Sequence, residues 1–327
     1  MDIAKFKKDI FSLTEMEFEA KALAVFRFQA KVNRVYREFL QHLDISPETI
    51  LKIEDIPFLP VELFKSQKVT SLDILPVPYF ESSGTTNETR SRHYVSDLAF
   101  YEAVALQTFR KFYGTPEQYC FLFLLPSYLE RKNASLVYMC NTLLKSGKEG
   151  GGFYLNEFDA LKSKLTKNEL NNIPTILLGV SFALLDFAEF TSMELKNTII
   201  IETGGMKGRR VEITRAALHE QLNKNFNTKN IHSEYGMTEL LSMAYSKGSG
   251  KFTTPPWMKI LIRDPEDPFT IVENGKSGCI NIIDLANIDS CSFIATQDIG
   301  KINLDNSFEV LGRFDHSDVR GCNLMVE

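Results

Sequence analysis

The chain has 327 residues, 44% hydrophobic and 24% charged, with a formal net charge of −5. That composition builds a sizeable globular core and argues against a broad basic surface for nucleic acid. The first residues, Met1-Asp2-Ile3-Ala4-Lys5, carry no apolar signal region, and no stretch reaches 18 uncharged apolar residues, so neither secretion nor membrane spanning is expected. The five cysteines, Cys120, Cys140, Cys279, Cys291 and Cys322, are scattered and form no C-x-x-C pair. This argues against a disulfide framework or a zinc site and for a reducing, cytoplasmic setting.

In chain order, Thr14 and Glu17 form a capping box, and Phe28, Val32, Val35, Phe39 and Leu43 recur as one face of a long amphipathic helix. Pro57 and Pro60 then impose a short extended segment over 56–64. Residues 1–80 thus read as a helical lead-in packed on something larger. From residue 81 strands and helices alternate. Ser96 is placed to cap a helix carrying Leu98, Tyr101, Ala105, Phe109 and Phe112. A strand at 119–125, a helix at 133–144, a glycine turn and a helix at 158–170 follow. The pattern continues with a strand at 175–178, a helix at 182–190, a strand at 198–201 and a helix at 211–226. Short apolar strands between helices predict a largely parallel, covered sheet over 81–256. Strands at 258–262, 278–284 and 308–311, joined by turns, predict a smaller antiparallel β unit over 257–327.

Two polar stretches stand out against this pattern. Ser82-Ser83-Gly84-Thr85-Thr86 offers hydroxyls and backbone N–H groups that wrap a polyphosphate, and Gly84 admits a close approach. The same composition also makes plain loops, so the run alone does not choose. In Tyr235-Gly236-Met237-Thr238-Glu239 the tyrosine offers a planar face to a purine and Gly236 a tight turn. Thr238 brings a hydroxyl to a phosphate, and Glu239 a hard oxygen for Mg²⁺. Read singly, it is an ordinary turn between a strand and a helix.

The ordered set does more than either piece. The hydroxyl–glycine run, Glu202-Thr203-Gly204-Gly205, Tyr235-Gly236-x-Thr238-Glu239, Asp298-x-Gly300 and Gly312-Arg313-x-Asp315 together resemble the adenylate-forming (ANL) superfamily. Its members activate carboxylates as acyl-AMP. Residues 56–65, Met206-Lys207-Gly208-Arg209-Arg210, Thr254-Pro255-Pro256-Trp257-Met258 and Arg320-Gly321-Cys322 are similar to the LuxE-type acyl-protein synthetases. The phenylacetate-CoA ligases are a related second match.

The resemblance implies an α/β ANL large-domain fold with a helical lead-in, a small C-terminal β unit and no mobile C-terminal domain. It implies ATP and Mg²⁺ as cofactors. Ser82, Ser83, Gly84, Thr85 and Thr86 would cradle the β/γ-phosphates. Gly204 and Gly205 would run beside adenine, and Tyr235, with Gly236 after it, would stack on it. Thr238 would touch the α-phosphate, Glu239 hold Mg²⁺, Asp298 bind the ribose and Arg313 support ribose or phosphate. Cys322 would carry the acyl group. Trp257 and Met243 are candidates for an apolar acyl pocket. The expected partners are a carboxylic, fatty acid and an acyl-accepting reductase or carrier protein, with neither nucleic acid nor membrane. Other readings are an AMP-forming acyl- or aryl-CoA ligase, and a weakly active nucleotide-binding subunit that scaffolds a partner enzyme.

Two departures bear on this. Asn87 stands where such phosphate loops carry a second glycine, with Arg90 and Arg92 the nearby cations. The catalytic lysine of two-domain members has no counterpart by motif. Lys207, Arg209 and Arg210 are candidates to replace it, or simply a solvated face.

Overall fold

The computed structural model describes residues 1–71, 78–82, 89–126, 133–206 and 209–313. Helices α1 (Ile3–Asp9), α2 (Glu15–Val32) and α3 (Arg34–His42) lead in. Glu17 accepts the Thr14 N–H at 3.1 Å, as the capping box requires. The single long helix expected through residue 43 is instead α2 and α3. Asn33 breaks it with extended backbone (φ −81°, ψ 111°), and its side chain accepts the Tyr36 N–H to start α3. The Asn33 amide also donates to the Ser290 carbonyl at 2.8 Å, so a tertiary contact fixes the break.

The segment 56–64 is extended only at β1 (Leu59–Pro60). After Val61 donates its N–H to Ala295 (3.0 Å) the chain turns into the short helix α4 (Leu63–Ser66). A hairpin of β2 (Tyr79–Glu81) and β3 (Arg92–Tyr94) precedes α5 (Leu98–Tyr113). The cap of α5 is Asp97, which accepts the Phe100 N–H at 2.9 Å, rather than Ser96, whose hydroxyl donates to Asp289 at 2.6 Å.

Then come β4 (Cys120–Leu124), α6 (Ser135–Ser146), β5 (Gly152–Tyr154), α7 (Phe158–Leu170), β6 (Thr175–Val180), α8 (Ser181–Phe190), β7 (Thr198–Thr203), α9 (Arg215–Phe226) and β8 (His232–Tyr235). The strands β5-β4-β6-β7-β8 are parallel neighbours. Every residue of β4 and β6 is buried, which is what helices on both faces of a parallel sheet demand. The fully buried rings of Phe109, Phe121, Phe187 and Phe226 lie under those helices, each stabilising the fold by about 1.5–3 kcal/mol.

The last strands are β9 (Ala244–Ser246), β10 (Phe252–Thr253), β11 (Met258–Arg263), β12 (Ser277–Asp284), β13 (Phe293–Ile302) and β14 (Phe308–Arg313). They continue the same sheet in the order β8-β9-β10-β14-β13-β12-β11, all antiparallel, with β1 parallel on β13. The β unit expected after residue 257 is therefore four strands, β11 to β14, of one continuous sheet that has twelve strands among the described residues. No helix among the described residues is long and apolar enough to cross a membrane.

The lead-in helices are bolted to this antiparallel half. The Gln29 amide donates to the carbonyls of Asn287, Ile288 and Ser290 (3.0–3.2 Å) and accepts the Ser292 N–H at 2.9 Å. The Lys7 ammonium meets Asp289 at 2.6 Å and Asp97 at 3.0 Å.

Candidate active site

A cleft of about 1760 Å³ opens where β7 and β8 end, and β13 and β14 wall its other side. Strand β7 runs out into Gly204 and Gly205. Gly204 takes the left-handed backbone (φ +69°) that glycine favours, and its carbonyl accepts the Ser181 hydroxyl at 2.9 Å. Glu202, just before them, is buried. Burial opposes its charge, but His219, Arg215 and Ser233 outweigh that and hold its carboxyl below the usual range. Arg215 Nε lies 2.9 Å from it.

Strand β8 ends at Tyr235, and the chain turns at Gly236. A β-carbon there would meet Glu234 Oε1, so any larger residue at this turn must displace that carboxyl. The turn is held from behind by groups far away in sequence. Asp284, fully buried, accepts the N–H groups of Leu241 and Ser242, both at 2.9 Å, and the Ser242 hydroxyl at 2.7 Å. The Asn287 amide donates to the Glu239 carbonyl at 2.8 Å. The buried His93 ring joins the Thr238 carbonyl (2.8 Å) to the Asn287 side chain (2.9 Å), and burial pushes its pKa down to about 4. Thr238 and Glu239 therefore face the cleft on a braced backbone. Glu239 is only 4% exposed, and burial pushes its carboxyl up.

Opposite, the Tyr235 hydroxyl donates to Asp298 of β13 at 2.7 Å. Burial raises the Asp298 carboxyl, against the pull of Tyr235, Arg313 and Arg215. Arg313 of β14 is the cross-strand partner of Asp298, and its guanidinium reaches Gln297 at 3.2 Å. The Tyr235 ring packs edge-on against Phe252 and Phe308.

The fold thus brings Gly204, Gly205, Tyr235, Gly236, Thr238, Glu239, Asp298, Arg313 and Met243 to one cleft. Ser82 joins them, its hydroxyl accepting the Ser91 N–H at 3.0 Å. Ser83, Gly84, Thr85, Thr86 and Cys322 lie outside the described residues. Trp257 corrects the expectation of an acyl-pocket lining. It is fully buried, edge-on to Phe11, and its indole N–H donates to Ser242 at 2.9 Å, so it steadies the turn from inside the core.

Of the candidate cations, Arg210 is committed to Asp186 and Glu189 of α8, and Arg209 lies over the Phe182 ring, 5.2 Å from its centroid. Lys207 lies outside the described residues. Arg90 and Arg92 both pair with Glu81 (3.7 and 3.0 Å). Cys120, Cys140, Cys279 and Cys291 are buried, and burial pushes the thiols of Cys140, Cys279 and Cys291 up.

Among the described residues no three His, Cys, Asp or Glu side chains gather to hold a metal by themselves. Glu239, a buried carboxyl on the cleft hydrogen-bonded by Ser91, forms with the neighbouring Thr238 hydroxyl a hard-oxygen set. That suits a Mg²⁺ that arrives with most of its ligands from phosphates and water.

Sequence reasoning passed over the braces His93, Asp284 and Asn287, for which no local signal exists. It also passed over Glu234, a carboxylate on a strand buried at three of its four residues.

No curated protein sequence matches the chain significantly. Solved structures share its architecture. ATP-bound MatB from Rhodopseudomonas palustris is 19% identical over 72% of this chain and 47% of its own, with a TM-score of 0.54. O-succinylbenzoate coenzyme A synthetase (MenE) from Bacillus subtilis, with ATP and magnesium, is 17% identical over 72% and 49%, with a TM-score of 0.53. A 2-hydroxyisobutyryl-CoA ligase in complex with 2-HIB-AMP is 14% identical over 96% and 69%, with a TM-score of 0.66. The chain spans about half the length of MatB and MenE. At such identities the likeness is one of fold, that of the adenylate-forming enzymes. The family model described as acyl-protein synthetase, LuxE, matches residues 161–327, just over half of the sequence, and the chain belongs to that family.

Proposed function

We propose that the chain uses ATP to activate a carboxylic acid as acyl-AMP and then passes the acyl group to a cysteine thiol. The observation that carries this is the convergence, in one cleft, of the Gly204-Gly205 turn, the Tyr235–Asp298 pair and the braced Thr238-Glu239 backbone.

A carboxylate is a poor electrophile, and attack on the α-phosphate of ATP converts it to a mixed anhydride with loss of pyrophosphate. The chain's part is positioning and charge stabilisation. In this reading Tyr235 and the glycine turn hold the base, and Asp298 accepts the ribose hydroxyls, an acceptor-only group meeting two donors. Thr238 donates to the α-phosphate, and Ser82 opens the run that meets the outer phosphates. Glu239 would hold Mg²⁺, which supplies charge neutralisation on the phosphate oxygens. In the second half-reaction a thiolate attacks the acyl carbonyl, forming a thioester and releasing AMP.

The resemblance assigns that thiol to Cys322. The burial of the four described cysteines is consistent with an acceptor elsewhere. The family points to a fatty acid and to a reductase or carrier protein that takes the acyl group onward. A free acceptor thiol suits the reducing cytoplasm. The second reading, free CoA as acceptor, is favoured by the coenzyme A ligases among the structures that share the fold.

The test is pyrophosphate release over a panel of carboxylic acids, followed by intact-mass measurement without CoA. Cys322→Ser is expected to keep pyrophosphate release and lose a hydroxylamine-labile adduct. An adduct that persists in Cys322→Ser, or maps to another cysteine, removes the acyl-carrier role. A thioester formed only with added CoA selects the second reading. No pyrophosphate with any acid would leave a nucleotide-binding scaffold.

A further inference from the structure

Another buried carboxyl lines the cleft and takes no part in the steps above. Glu234 precedes Tyr235 on β8. Successive strand residues face opposite ways. Tyr235 turns toward Asp298, so Glu234 turns away, toward the wall made by Tyr101 of α5 and by Ser135 and Met139 of α6. Strand register sets it between Thr203 of β7 and Tyr245 of β9. It is 7% exposed.

Its two oxygens differ. Oε2 is taken by the Thr203 hydroxyl. Oε1 lies where a β-carbon on Gly236 would meet it and accepts no hydrogen bond from any described residue. The Tyr101 hydroxyl is spent on the Ser135 carbonyl at 3.2 Å, and Met139 and Met243 have no donor to offer. Burial, with Glu202 adding like charge, pushes the Glu234 pKa up to about 7 despite the Thr203 bond. Ionisation does not change the outcome at Oε1. A carboxylate leaves its lone pairs open, and a proton held between Oε2 and Thr203 leaves Oε1 as the carbonyl oxygen. In both states Oε1 is an acceptor open to the cleft that no described residue answers, so its partner comes from whatever fills the cleft.

We propose that Glu234 Oε1 accepts a hydrogen bond from the acyl portion of the substrate, so that the preferred acid carries a hydroxyl or amino group on its chain. This rests on the acid-activating reading and narrows its substrate. An unsubstituted chain would press methylenes against Oε1 and leave it without a donor. A site with a buried polar group discriminates against such an analogue far more strongly than an apolar pocket discriminates by size.

The experiment compares kcat/KM for pyrophosphate release over acids of equal length, each unsubstituted, hydroxylated or aminated at successive positions. The enzymes are the full-length wild type, Glu234→Gln and Glu234→Leu. ATP-analogue binding serves as the folding check. The wild type is expected to prefer a substituted acid over its plain counterpart by tenfold or more. Glu234→Leu should abolish or invert that ratio. Glu234→Gln, which keeps an acceptor but no charge, should retain a hydroxyl preference and lose an amino preference, which tells the two groups apart. Plain acids turned over as well as every substituted one, or a ratio unchanged in a folded Glu234→Leu, overturns the inference and leaves acid activation standing. No pyrophosphate from any acid in any variant overturns both.

Discussion

In the parallel half of the sheet, polar groups gather where strands stop. β7 gives way to Gly204-Gly205, β8 to the Gly236 turn, and what faces the cleft is largely backbone and the side chains of a tight turn. In the antiparallel half the contribution comes from within strands. Asp298 and Arg313 are cross-strand partners on β13 and β14, and Asp284 and Asn287, at and just beyond the end of β12, reach back to brace the turn after β8. The parallel half is thus built to approach a ligand closely, and the antiparallel half to aim side chains and hold the other half still. A substitution in the first should cost turnover with little loss of stability, whereas one among the braces should cost both.

The sharpest version of that contrast is Glu239→Gln. The side chain is nearly isosteric, and burial already disfavours its charge, so the fold is expected to stand. Loss of the carboxyl to which the proposed function gives Mg²⁺ is expected to cut pyrophosphate release by about a hundred- to a thousandfold, judged by the cost of removing a single charge-stabilising group. An unchanged kcat/KM at limiting Mg²⁺ would sink the assignment.

Asn287→Ala strikes the brace instead. It strands the Glu239 and Cys291 carbonyls and the His93 ring, all buried. Unpaired buried groups cost about 1–3 kcal/mol each, partly relieved by relaxation, so a loss of about 2–3 kcal/mol in urea unfolding is expected, with a fall in turnover. Stability equal to wild type would remove Asn287 from the supporting role.

Asp298→Ala tests the aimed side chain. Charge-assisted hydrogen bonds are worth about 1.5–3 kcal/mol. Calorimetry with a non-hydrolysable ATP analogue should therefore record at least a tenfold weaker Kd, with acid binding little changed. Equal nucleotide affinity would reject the ribose contact. The smallest effect is expected from Arg210→Ala. Its pairs with Asp186 and Glu189 are largely exposed, and such pairs contribute under about 1 kcal/mol. A large loss of turnover in that variant would restore Arg210 as a stand-in for the superfamily's lysine.

The two halves were also unequally legible. Buried parallel strands write continuous apolar runs, so β4 and β6 stood out, and α7 was read with its observed bounds, Phe158–Leu170. Strand β13 was passed over because Gln297, Asp298 and Lys301 interrupt its apolar pattern where it borders the cleft. The motif around Tyr235 was legible because its chemistry is local. Its supports were not: His93 lies 145 residues from Thr238, and Asn287 lies 48 from Glu239. Trp257 was misread for the related reason that closeness in sequence to a motif does not decide which side of the sheet a ring enters.

The Gln29 and Lys7 contacts carry a consequence for how the molecule is made. Apart from Asp97, which also pairs with Lys7, their partners lie 258 to 282 residues further along, within 287–292. Helices α1 and α2 therefore emerge from the ribosome long before the surface that receives them exists, and pairings of such sequence separation form late and slowly. Because that same 287–292 stretch holds the Glu239 turn through Asn287, assembly of the cleft coincides with the docking of helices α1 and α2 onto it.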